Sequence, residues 1–244
     1  VRPVPGPPRS WAVSSESAKV YCGEPFVVHV EAVDEHQNRC DLADLAAPDL
    51  PVPKVEPVSE RELEVENGGW EGAWERDEDD ARTFVARLAL RGEQGPIALR
   101  IYSDEGVGMA EDLWQVTLAP GPPSRLTLNL PADAPPEFYT TCHVASVVCH
   151  VRDVWGNPIP SCKEFEVVLQ PSARSLADEG VFAQVSCKGG NRHKVSGGTC
   201  SFEDVSIKCP KPGRYALVCV SKSRKLSVEE ATLEIDAKCS NRVV

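Results

Sequence analysis

The sequence predicts an all-β chain folded as two tandem β-sandwich domains, and three observations predict it. A set of landmarks occurs twice in the same order. Apolar residues alternate with polar ones at period two, the pattern of a half-buried strand. No stretch reads as an amphipathic helix longer than two turns; SERELEVEN (59–67) and EEATLEI (229–235) carry helix formers but also alternate.

The landmarks follow the chain. Pro5-Gly6-Pro7-Pro8 opens the first copy and Pro120-Gly121-Pro122-Pro123 the second. The run PFVVHVEAVDEHQN (25–38) is answered by VASVVCHVRDVWGN (144–157), which places Asn38 and Asn157 119 residues apart. GPIALRIYS (95–103) parallels GRYALVCVS (213–221), and WQVTLAP (114–120) parallels EATLEID (230–236). Four matches in one order predict homologous domains over 1–119 and 120–244, each of ordinary domain size. Within them Val28, Val30 and Ala32 alternate with His29 and Glu31. Val147, Cys149 and Val151 do the same against Val148, His150 and Arg152. Short Val-rich strands punctuated by Gly, Pro and Asn suit a sandwich. The segment 41–58, with Pro48, Pro51, Pro53 and Pro57, reads as a long extended connection of polyproline II character.

Composition narrows the function. The 244 residues include 37 acidic and 26 basic side chains, a formal charge of −11. Such a surface disfavours non-specific nucleic-acid binding, which needs Lys and Arg against phosphate, and docking on anionic lipid. No apolar run approaches the roughly 20 residues of a membrane-spanning helix.

The second copy carries Asp153-Val154-Trp155-Gly156-Asn157-Pro158 after its long strand and Pro212-Gly213-Arg214-Tyr215 before its penultimate one. With the Gly-Pro-Pro entry, this resembles immunoglobulin-like repeats of the filamin and bacterial invasin type. The first copy departs from the pattern: Asp34 to Asn38 lacks the Gly, and Ile97 stands where the Tyr would be. The resemblance spans nearly the whole chain. It implies tandem immunoglobulin-like β-sandwiches, with Tyr215 buried at a corner and its hydroxyl bonded to backbone. The Gly-Pro-Pro linkers are also similar to the immunoglobulin-like stretch of the structural-maintenance-of-chromosomes flexible-hinge-domain family of large chromatin proteins. That similarity implies an intracellular, nuclear scaffold. The alternative is an extracellular adhesion ectodomain stapled by disulfides.

Ten cysteines bear on that choice, two in the first copy (Cys22, Cys40) and eight in the second. Cys149, Cys187, Cys200, Cys209 and Cys219 share strand faces with apolar residues, where a reduced Cys behaves as a small hydrophobe. Disulfides remain open, because the resemblance puts Cys149 and Cys219 where an inter-sheet bridge lies; Val30 and Ile101 occupy the nearby first-copy positions. A zinc site is the weakest reading, since no CxxC pair exists and Cys142-His143 and Cys149-His150 point to opposite faces.

No catalytic constellation stands out. There is no GxSxG, P-loop, HExxH or GxGxxG, and no cofactor or small-molecule substrate is expected. The Asp153 turn could cap itself through its side chain or bind calcium; a plain turn is the simpler expectation. Candidate partner-binding residues fall in two charge clusters. One is the acidic segment 75–80, including Asp77 and Glu78, preceded by Trp70 and Trp74. The other is the basic tip with Lys188, Arg192, His193 and Lys194. Both predict a protein partner met through loops rather than a chemical reaction.

Overall fold

The computed structural model describes residues 5–15, 17, 19–41, 52–58, 64–66, 74–77, 80, 82–103, 109–132, 134, 138–172 and 182–238. The described residues form β-strands joined by turns, with no helix. Among them, none forms a helix long and apolar enough to cross a membrane. The chain separates into two compact units, Val1–Gly121 and Pro122–Val244.

The first unit contains β1 (Ser10–Ser15), β2 (Lys19–Tyr21), β3 (Pro25–Val33), β4 (Lys54–Pro57), β5 (Glu64–Glu66), β6 (Glu75–Arg76), β7 (Thr83–Arg91), β8 (Gly95–Tyr102) and β9 (Asp112–Ala119). One sheet runs β1-β3-β7-β5, with β6 also on β7; the other runs β2-β9-β8-β4. The period-two pattern explains the layers. Val28, Val30 and Ala32 on β3 are buried, as are Ile97, Leu99 and Ile101 on β8, so the inner faces of both sheets meet as one apolar layer. Burying each of these Val, Ile and Leu side chains contributes about 1.5–3 kcal/mol. Trp11 closes this core edge-on to Phe84, ring centroids 6.2 Å apart.

The second unit contains β10 (Arg125–Asn129), β11 (Phe138–Tyr139), β12 (Thr141–Arg152), β13 (Phe165–Pro171), β14 (Gln184–Lys188), β15 (Arg192–Val195), β16 (Thr199–Lys208), β17 (Gly213–Ser221) and β18 (Ala231–Lys238). Its sheets run β10-β12-β16-β14 and β11-β18-β17-β13-β15. Val147, Cys149 and Val151 face Val167, Leu169, Leu217 and Cys219 within one buried cluster.

Both units divide their opening segment between the two sheets. β1 pairs antiparallel with β3, whereas β2 pairs parallel with β9. In the second unit β10 pairs antiparallel with β12, and β11 pairs parallel with β18. An all-β pair of tandem immunoglobulin-like sandwiches is therefore the fold.

Three local expectations change. Lys54–Pro57, within the proline-rich connection, is a strand on β8, with Pro57 at its end. An edge strand tolerates a residue that cannot donate to the ladder. Within the acidic segment, Glu75–Arg76 is also a strand, paired with Val85 and Phe84. The last landmark shifts in register. Ile97 pairs with Val116 and Tyr215 with Ile235, so the counterpart of Val116 is Ile235, 119 residues on. The alignment of WQVTLAP with EATLEID is three residues short of that, an odd slip that would turn each strand face over.

Candidate functional site

Two built features define the units, and the charged hairpin is the third. The turn after β3 is closed by Asp34, whose Oδ1 accepts from the backbone N–H of His36 (2.9 Å) and Asn38 (2.8 Å). Its Oδ2 accepts from the Asn38 side-chain amide (3.0 Å) and from Gly6 N–H (2.9 Å), which ties the Gly-Pro-Pro entry to the turn. The turn after β12 repeats this: Asp153 Oδ1 accepts from Trp155 and Asn157 N–H, and Oδ2 from the Asn157 amide at 2.8 Å. The bond from Gly6 N–H, reinforced by Asn38, holds the Asp34 carboxyl well below the usual carboxylate range, against the opposing effect of burial. Oxygens surrounded by N–H donors are the opposite of a calcium cage, so the geometry is that of an Asx-type turn. Gly156 takes φ of 91°; in the first unit Gln37 takes φ of 62° at the same place. The missing glycine thus leaves the backbone path unchanged and places a non-glycine residue in the left-handed region.

Tyr215 is 2% exposed, and its hydroxyl donates to the Lys211 carbonyl at 2.7 Å. The corner expected from the resemblance is present, and Ile97 fills the same position in the first unit without a polar tip.

The basic tip is the hairpin from β14 to β15. Gly189 and Gly190 turn it with φ of 80° and 94°, and Asn191 closes it by accepting from Cys187 N–H and donating to the Val185 carbonyl. Each cation stands over a carboxylate. Lys188 Nζ lies 3.6 Å from Asp204, Arg192 Nε 3.7 Å from Glu166, and Lys194 bonds Glu164. That bond holds the Glu164 carboxyl below its ordinary value. All six side chains are more than half exposed. Arg192 and Lys194 share the outer face of β15. His193 points the other way: its ring meets Phe202 edge-on at 5.0 Å, and its Nε2 lies 3.0 Å from the Gly190 carbonyl. It is packed, not presented beside its neighbours. Glu164, Glu166 and Asp204 were missed in the sequence because they come from other segments, Glu164 just before β13, Glu166 on β13 and Asp204 on β16; opposite charges at diagonal cross-strand positions were the available signal.

In the acidic segment Trp74 and Asp77 are half-buried, while Trp70 and Glu78 lie outside the described residues. Asp77 N–H donates to the Thr83 carbonyl at 2.9 Å. Asp80 accepts from Arg82 N–H and pairs with Arg39 at 2.7 Å, and Arg39 reaches Glu31 at 2.7 Å. The Arg82 bond first, with Arg39 adding to it, lowers the Asp80 carboxyl against burial. This end of the segment is therefore built into the first sandwich by an ion-pair chain.

The nine described cysteines are free thiols, seven of them buried, with Cys162 and Cys187 half-buried; Cys239 lies outside the described residues. Among the described residues, no group of three or more His, Cys, Asp or Glu side chains is arranged to hold a metal ion.

No family model matches the chain, and no curated protein matches it. Solved structures of similar architecture do. The Escherichia coli adhesin FdeC is 17% identical, with a TM-score of 0.45, over 93% of this chain and 64% of that one. The Yersinia pseudotuberculosis adhesin InvE is 12% identical, with a TM-score of 0.34, over 93% of this chain and 58% of that one. The D00-D0 domain of intimin is 10% identical, with a TM-score of 0.44, over 93% of this chain and 99% of that one. The chain spans less than two thirds of the first two structures. Such likeness concerns fold alone. One expectation is corrected: two of these similar structures are named as adhesins, so the intracellular, nuclear placement is withdrawn, and nothing in the comparisons supports the hinge-domain resemblance.

Proposed function

We propose that the chain is a non-catalytic pair of immunoglobulin-like domains, over 1–119 and 120–244, that spaces and presents a protein-binding surface in the manner of an adhesion ectodomain. The observation that carries this reading is the hairpin Lys188–Lys194, whose exposed cations stand over Asp204, Glu166 and Glu164. A surface of alternating sign selects a partner by geometry: the partner's carboxylates must replace those already in place. A phosphate backbone offers uniform negative charge and meets these carboxylates as repulsion, so a protein partner fits better. Lys188, Arg192 and Lys194 supply the contacts, His193 fixes the strand beneath them, and Asp77 with Trp74 forms a second contact area.

Titration of the labelled chain with a polyglutamate peptide tests the cationic component. Binding should weaken as salt rises from about 0.02 to 0.15 M, because the Debye length shortens from roughly 20 to 8 Å. The triple variant Lys188→Gln, Arg192→Gln, Lys194→Gln should lose that binding at an unchanged melting temperature. Binding indifferent to salt, or retained by the variant, removes the hairpin from the proposed surface.

A further inference from the structure

The two units differ at one place on an outer sheet face. Arg125 on β10 and Arg152 on β12 are direct partners across the strands, where the first unit sets Ser10 against Val33. The registers make these positions equivalent. Asp34 follows Val33 as Asp153 follows Arg152, and the Arg9 and Ser124 N–H groups donate to the carbonyls of Val33 and Arg152. Ser10 and Val33 show that the fold needs no cation here. Two like charges directly opposite each other on one sheet face are destabilising.

Both guanidinium groups meet at Gly156. Arg152 Nη1 donates to the Gly156 carbonyl at 2.9 Å and its Nε to Thr127 Oγ1 at 3.4 Å, which leaves Nη2 for a ligand. Arg125 Nη2 lies 3.0 Å from the point where a Cβ on residue 156 would stand, so the glycine gives that head its room; the first unit carries Gln37 there. Arg125 Nε is closed off from solvent and has no acceptor among the described residues. The head is held by packing, not by a counter-ion. Among the described residues neither arginine forms an ion pair, and Glu229, which bridges to Arg125 through the backbone, forms none with it. The charge is felt on the next row of the same face, where His150 stands opposite Thr127: burial first, and Arg152 second, lower the imidazole below its ordinary value.

We propose that Arg125 and Arg152 form an oxyanion site on the second unit, one that takes a dianionic phosphoryl group, either free phosphate or a phosphate monoester. Two cations call for two negative charges, and a single carboxylate would leave one guanidinium unneutralised. A phosphoryl group offers at least three acceptor oxygens, enough for bonds from both guanidinium forks and from the Thr127 hydroxyl. The packed Arg125 head and the bonded Arg152 head are already ordered, so little side-chain freedom is lost on binding. The hairpin Lys188–Lys194 is the contrasting case: its cations already stand over carboxylates, which repel phosphate.

The test is titration of the full chain with inorganic phosphate, and separately with glycerol 3-phosphate, at constant ionic strength and about pH 7.5, above the second ionisation of the phosphoryl group. Two signals are read: the NMR cross-peak of the Arg125 Nε–H group and the melting temperature of the second unit. The cross-peak should move to saturation, and at ten times the dissociation constant the melting temperature should rise by roughly 4–7 °C. Arg125→Gln breaks no side-chain hydrogen bond. It should abolish both responses and, without phosphate, melt no lower than the unsubstituted chain. Arg125→Lys keeps the charge but loses the fork and should bind roughly tenfold more weakly. The triple variant Lys188→Gln, Arg192→Gln, Lys194→Gln should keep both responses, which separates this site from the hairpin. Saturation by both compounds marks a group that can be carried on a larger ligand, and saturation by phosphate alone marks the free anion. Absence of saturation, an equal response to acetate at the same ionic strength, or a response that survives in Arg125→Gln overturns the proposal. If Arg125→Gln does not fold, the Arg125 cross-peak of the unsubstituted chain decides.

Discussion

Asn38 binds the Asp34 carboxylate twice, through its backbone N–H at 2.8 Å and its side-chain amide at 3.0 Å. Asn157 binds Asp153 in the same way. In the first unit turn and entry segment meet at the Asp34 carboxylate, because Gly6 N–H donates to it as well. Removing the amide leaves a buried acceptor short of a donor, which costs about 1–3 kcal/mol. Asn157→Ala should therefore lower the unfolding free energy of the second unit by that amount, while Asn157→Asp should do worse by adding a second carboxylate. Chemical denaturation followed by tryptophan emission checks both.

The pH dependence follows from the same contact. Asp34 ionises more easily folded than unfolded, so its contribution to stability is complete above the unfolded carboxylate value near 4 and falls away as pH drops through the lowered folded value. The first unit should hold its stability from pH 7 down to about 4 and lose it progressively below. In Asp34→Ala that acid-side loss should shrink, visible in melting curves taken from pH 7 to 2. An unchanged acid profile in the variant would show that other carboxylates govern it.

Tyr215 separates packing from hydrogen bonding. Its ring is buried and its hydroxyl reaches the Lys211 carbonyl. Tyr215→Phe should cost about 1 kcal/mol, and Tyr215→Ala about 3–5 kcal/mol. Equal losses in the two variants would assign the whole effect to the hydroxyl.

The glycine positions make opposite predictions in the two units. Gln37 holds φ of 62° where Gly156 holds 91°. A non-glycine residue in that region carries a backbone cost of about 1–2 kcal/mol, partly offset by the greater unfolded freedom of glycine. Gln37→Gly should stabilise the first unit by up to about 1 kcal/mol. Gly198→Ala should do the reverse and more strongly, because its Cβ would lie 2.2 Å from the Ile159 carbonyl oxygen at φ of 74°.

What could be read from the chain was what local chemistry dictates. The alternation of Val147, Cys149 and Val151 places all three in the core, and the spacing of Asp153 and Asn157 closes a turn without help from elsewhere. Lys54–Pro57 was hidden because prolines mask a strand whose partner, Leu99 to Tyr102, lies some forty residues away. The three-residue slip in the final landmark arose from short alternating runs, which match one another at several offsets; only the pairing of Ile97 with Val116 and Tyr215 with Ile235 separates them. The hairpin cations were legible as a cluster, but the carboxylates beneath them come from β13, the residue just before it and β16. Charge pairing across strands depends on a register that composition does not encode.

That pairing makes the last prediction. Lys194 bonds Glu164, and Arg192 lies 3.7 Å from Glu166 on the same outer face. Replacing Lys194 by Glu would set a third carboxylate against two, whereas Lys194→Gln removes a charge without creating repulsion. Lys194→Glu should therefore lower the melting temperature of the second unit more at low salt than at high salt, and Lys194→Gln should show little salt dependence. The double exchange Glu164→Lys with Lys194→Glu should restore the melting temperature, since the pair is exposed and only its sign is reversed. Recovery in the exchanged pair would identify the contact as an electrostatic one. Failure to recover, with the loss equal at both salts, would mean that Lys194 acts through the packing of its stem along β13, and that its charge is free for a partner.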